Sequence, residues 1–154
     1  IEKDKRGIEL QLLYSDENFS VPANVYIIGM MNTADRSLAM LDYALRRRFS
    51  FFTMKPGFNA PGFQAYQDSL KSDDFNKLIA CVKQLNSKIA EDISLGEGFC
   101  IGHSYFCSLT PETANTQTLS SIVEYELIPL LKEYWFDEPA NVIDWGDRLR
   151  SAVK

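Results

Sequence analysis

No apolar run in this chain comes near the roughly 20 residues of a membrane-spanning helix; the longest is Val25–Met31. No basic-then-apolar signal segment opens the sequence as given. The chain starts on Ile1 rather than an initiator methionine, so we expect a piece of a longer polypeptide. Cysteine is scarce and odd in number: Cys81, Cys100 and Cys107. With no CxxC pair, the default reading is free thiols in a cytoplasmic protein. Cys100, His103 and Cys107 have only a loose C-x2-H-x3-C spacing, and no metal site is expected. His103 is the sole histidine and there is no GxSxG, which argues against a hydrolase triad.

The phosphate-cradling loop is also missing. Gly57–Gly62 opens like GxxxxGK[ST], but Phe63 and Gln64 stand where Lys and Ser/Thr are needed. Gly96, Gly98 and Gly102 do not fit GxGxxG, and no apolar strand ending in Asp-Glu precedes residue 25. The chain should therefore not bind nucleotide tightly by itself. Nucleic acid is a poor partner for most of it. Net charge is −5. Residues 1–53 hold as many acids as bases, so the rest carries the whole excess.

What is present is ordinary globular composition, 45% hydrophobic and 24% charged, in a 154-residue chain. We read two lobes. In the first, residues 1–55, Ile8–Ser15 suits a strand and "ENFSVPAN" a turn. Val25–Met31 is continuously apolar, as expected of a strand buried on both faces of a parallel sheet. A helix from Leu38 to about Arg47, capped by Ser37, and a strand over Phe49–Met54 would complete a right-handed crossover. "KPGFNAPG" (Lys55–Gly62) marks the lobe boundary, and helices dominate residues 56–154. Phe75, Leu78, Ile79, Val82, Leu85 and Ile89 form one apolar stripe, with Asp73 or Asp74 as N-cap. Ser94–Phe106 breaks the pattern with three glycines and reads as a loop with a short extended segment. Thr118–Trp135 reads as a long helix bent at Pro129, and a short helix after Pro139 closes the chain.

Two features carry chemistry. Asn32 follows the apolar strand directly, and ligands of open α/β sheets sit beyond the carboxyl ends of strands. Its amide can donate to a phosphate oxygen and accept from a water, which suits positioning a hydrolytic water. The alternative is a turn in which Asn32 and Asp35 bond their own backbone. Arg46, Arg47 and Arg48 end the next helix. They complement its dipole, yet three in a row cannot share one face. Arginine's fork suits a transferring phosphate, sometimes one held by a neighbouring subunit.

"NVYIIGMMNTADRSLAMLDYALRRRFSF" resembles the McrB family of AAA+ GTPases, the motor subunits of modification-dependent restriction systems. "KDKRG", "GFCIGHSYF" and "PLLKEYWFDEP" fit the same pattern, so the resemblance spans most of the chain. It implies an α/β plus all-α architecture: the C-terminal part of an AAA+ nucleotide-binding core (1–55), then a helical lid subdomain (56–154). It implies a sensor-1 role for Asn32, with Asp35 and Arg36 completing its signature. Arg47 and Arg48 would be arginine fingers acting on the neighbour's nucleotide in a hexameric ring. Gly102, His103 and Ser104 would face the nucleotide from the lid. GTP and Mg²⁺ would be bound by the full-length protein and not by this chain alone. Partners would be further copies of itself, a McrC-like nuclease subunit, and DNA through a domain absent here. Two other readings stay open: an ATP-dependent MoxR-like remodelling ATPase, and a helical protein–protein adaptor without catalysis.

Overall fold

The structure is a computed structural model and describes residues 5–31 and 46–154. The chain divides into two compact units, Ile1–Thr53 and Met54–Lys154.

In the first unit, β1 (Leu10–Gln11) pairs antiparallel with β2 (Asn18–Phe19), with Leu10 opposite Phe19 and Gln11 opposite Asn18. The turn between them places Asp16 at φ 53°, a left-handed conformation that Asp tolerates better than most residues. It is held by Leu12 N–H on Glu17 O at 2.9 Å and Gln11 Nε2 on Asp16 Oδ1 at 3.3 Å. So the strand expected over Ile8–Ser15 is only two residues long, and part of the expected turn is its partner.

The expected buried strand Val25–Met31 is not formed. These residues have no strand structure, and Ile28 and Met30 are more than nine-tenths exposed. Phe49–Met54 likewise forms no strand, and Phe52 is 89% exposed. An apolar parallel strand is stable only between neighbouring strands and under covering helices. The described residues of this unit supply neither. Residues 38–45 of the expected helix lie outside the described residues. The AAA+ α/β core is therefore not seen here.

The second unit is helical because its sequence repeats at helical spacing. Among the described residues, all the buried hydrophobic ones, from Phe58 to Val153, belong to it. α1 (Pro61–Leu70) has proline in its first turn, where a missing N–H costs nothing. It ends on Lys71 in the left-handed region, at φ 49°. α2 (Asp73–Glu91) buries Phe75, Leu78, Ile79, Val82, Leu85 and Ile89, each 1% exposed or less. Its N-cap is Ser72, not Asp73 or Asp74: Ser72 Oγ accepts from Phe75 N–H at 3.3 Å and donates to Ala114 O at 2.9 Å. The two aspartates occupy the first turn, where negative charge meets the positive helix end.

The segment expected to be a loop with a short extended stretch keeps that character over residues 100–102, where Gly102 is extended at φ −74° and ψ 155°, and adds two short 3-10 turns, Glu97–Phe99 and His103–Phe106. The long helix expected over Thr118–Trp135 is interrupted. It runs as α3 (Thr116–Ile122), a π-helical turn over Val123–Leu127, and α4 (Ile128–Tyr134). Pro129 has no N–H for the carbonyl of Tyr125, and its ring crowds that carbonyl. The wide turn, closed by Ile128 N–H on Val123 O, accommodates the proline without ending the helix. α5 (Pro139–Ala152) packs against α2 and α4. Arg150 ties α5 to the π turn through Glu124, with Nη2 to Oε2 at 3.0 Å. Among the described residues, no helix is long and apolar enough to cross a membrane.

Candidate functional site

Asn32, Asp35 and Arg36 lie outside the described residues. Arg46, Arg47 and Arg48 are in the first unit and exposed, and the Arg46 guanidinium carbon lies 5.8 Å from the centroid of the Phe51 ring. Gly102, His103 and Ser104 are in the second unit, at the start of the second 3-10 turn.

His103 is half-buried and its orientation is fixed from three sides. Nδ1 accepts a 3.0 Å hydrogen bond from Gly57 N–H, which assigns the ring proton of the neutral imidazole to Nε2. Two phenyl rings pack against it in T-shaped contacts, Phe63 at 5.7 Å and Phe58 at 6.2 Å between centroids. Gly57 must be glycine for this to happen, because a Cβ there would stand 2.9 Å from His103 Cε1. The lysine two residues before it, Lys55, reaches Glu97 in the first 3-10 turn at 2.9 Å. That pair is exposed and contributes little to stability. The site thus presents a neutral N–H donor at Nε2 and an exposed hydroxyl at Ser104, a combination that can hydrogen-bond an anion without adding charge.

Two residues that periodicity does not single out hold this segment in place. Asn86 of α2 makes a two-point bond to the backbone of Ile101: its Oδ1 accepts from Ile101 N–H at 2.7 Å, and its Nδ2 donates to Ile101 O at 2.9 Å. The Tyr66 hydroxyl lies 2.7 Å from Phe106 O and accepts from Leu109 N–H at 3.0 Å. Burial raises the Tyr66 phenol's pKa. One signal for Asn86 is present in the sequence. It stands four residues after Val82 and three before Ile89, so an amide interrupts an otherwise apolar stripe.

Two of the thiols, Cys81 and Cys100, are not poised for chemistry. Burial raises the pKa of Cys81 and of Cys100, and for Cys100 the nearby Glu97 adds to the shift. Tyr134 is pushed up to about 12 by burial, reinforced by Tyr105 and Cys100. Its ring meets Phe99 edge-on at 5.3 Å. Asp92 goes the other way: hydrogen bonds from Ser94 and Trp135 lower it from 3.8 to about 2. Those bonds run from Ser94 Oγ at 2.6 Å and Trp135 Nε1 at 2.8 Å, and they close the end of α2 against the end of α4.

Two known proteins resemble the chain, one of them along nearly its whole length. It is 48% identical to the Type IV methyl-directed restriction enzyme EcoKMcrB subunit of Escherichia coli (strain K12), over 97% of this chain and 35% of that protein. It is 32% identical to the Type II restriction enzyme BsuMI component YdiS of Bacillus subtilis (strain 168), over 54% of this chain and 26% of that protein. The chain therefore spans about a third or less of the relatives it matches. Residues 77–143, from within α2 to the first part of α5, match the alpha-helical lid domain of McrB. The motifs, the helical second unit and these matches agree, and the chain belongs to the McrB family.

Proposed function

We propose that this chain is the sensor, arginine-finger and lid portion of a GTPase motor subunit in a modification-dependent restriction system. The observation that carries this reading is the 48% identity along 97% of the chain, together with the MNTADRS and ALRRRF motifs it includes. Asn32, with Asp35 and Arg36, would orient the water that attacks the γ-phosphate of GTP. Arg47 and Arg48 would reach the neighbouring subunit's nucleotide in a hexameric ring and neutralise charge that develops in the transition state. Gly102, His103 and Ser104 would meet the nucleotide from the lid. The phosphate loop and Mg²⁺-binding acids are not in this sequence and would come from the rest of the subunit. A McrC-like nuclease would cut the DNA, which a separate domain would read. Exposure of the three arginines supports the reading, since a trans-acting group must lie at a surface.

Steady-state GTP hydrolysis by the full-length subunit tests this. Arg47→Ala and Arg48→Ala should each lower kcat by about 10³-fold or more while leaving GTP binding nearly unchanged. Hydrolysis that survives both changes would favour a helical adaptor. The 154-residue chain alone, supplied with GTP and Mg²⁺, should show no turnover.

A further inference from the structure

We infer that Asn86 is a positioning residue for the nucleotide-facing lid segment, a role that rests on the reading of Gly102–Ser104 given above. Between Leu95 and His103 the fully buried side chain is Ile101, at 1% exposure. An apolar anchor sets how deep the chain lies but leaves it free to turn about its own axis. The paired bonds from Asn86 to Ile101 N–H and O remove that freedom, as a bridge between two strands would.

Ile101 directly precedes Gly102. Two residues on, the His103 ring takes the Gly57 N–H. The segment is therefore gripped on both sides of Gly102: at Ile101 from α2 and at His103 from the residues before α1. The chemistry requires an amide at position 86. Aspartate would keep the acceptor for Ile101 N–H but set an anion against Ile101 O. Leucine would fill the space and satisfy neither group, and it would leave two backbone groups unpaired beside a buried residue. A further contact reinforces the join, with Cys100 Sγ 3.5 Å from the backbone carbonyl of Asn86.

Asn86 has no part in moving the attacking water or in the trans-acting arginines. Its loss should weaken substrate capture and spare the chemical step. The experiment compares Asn86→Leu, Asn86→Asp and His103→Ala in the full-length subunit. It reads kcat and KM for GTP well below the unfolding temperature, and amide hydrogen exchange at Ile101. Asn86→Leu and His103→Ala should each raise KM about tenfold with kcat within about twofold of the parent. Asn86→Asp, which keeps one of the two bonds, should fall between and retain partial Ile101 protection.

If His103→Ala raises KM while both Asn86 variants stay at the parent value, the positioning role is wrong and the nucleotide-facing segment stands. If His103→Ala leaves KM unchanged, the nucleotide-facing reading is wrong, and this role falls with it. If Asn86→Leu and Asn86→Asp both lower kcat in step with lost thermal stability, Asn86 only holds the fold, and the proposal is overturned.

Discussion

Gly57 and His103 occupy one space between them. The ring stands where a Cβ would be, at 2.9 Å, and it receives the Gly57 N–H. Gly57→Ala should therefore displace the ring and lower stability by about 1–3 kcal/mol, the usual cost of forcing atoms into a packed site. Urea unfolding followed by far-ultraviolet circular dichroism would measure it. Lys71 presents the opposite case, a side chain at φ 49° where glycine fits better. Lys71→Gly should stabilise the chain by about 0.5–1 kcal/mol, seen as a higher urea midpoint with an unchanged slope.

Asp92 gives the molecule an acid-sensitive joint. Its folded pKa of about 2 lies below the ordinary 3.8. Its contribution is therefore complete above about pH 4 and fades as pH falls toward 2. Asp92→Asn should flatten this part of a stability-against-pH curve and leave the neutral region less stable than the parent. A parent curve with no decline between pH 4 and 2 would contradict the assignment.

At the scale of elements, α2 shows what periodicity can and cannot tell. Its apolar stripe was legible in full, because burial repeats every three or four residues along one strip of sequence. Its cap was not. Asp73, Asp74 and Ser72 are all good capping residues, and the choice fell to the one whose hydroxyl also finds Ala114 O. Ser72→Ala should cost about 1 kcal/mol, whereas Asp73→Ala should cost only a few tenths through the helix dipole. Differential scanning calorimetry of the two variants separates them. The π turn follows from the same limit. Pro129 announced an irregularity, but a kink, a stop and a widened turn are all ways to accommodate a proline, and the fold takes the third.

At the scale of the molecule, the two units differ in what they bury. The second has a continuous core running from Phe58 through Trp135 to Val153. The described part of the first exposes Ile28, Met30, Phe52 and Tyr26. Exposed apolar surface on this scale favours association. Sedimentation velocity should show concentration-dependent self-association of the 154-residue chain, and much less for residues 54–154 alone. Equal behaviour of the two would show that the apolar segment is covered.

The sequence by itself determined the helical second unit and its stripe, and it holds the strings that match the family. These depend on side-chain order over a few turns, and family motifs are themselves local strings. Only the tertiary structure decided that Val25–Met31 lies uncovered here. An apolar run specifies that a strand wants neighbours, not that it has them. It also decided that His103 answers to Gly57, 46 residues away, and that the amide at position 86 is a clamp rather than a flaw in an apolar face. Hydrogen bonds of such separation have no period, so they become visible only when the chain has brought both ends together.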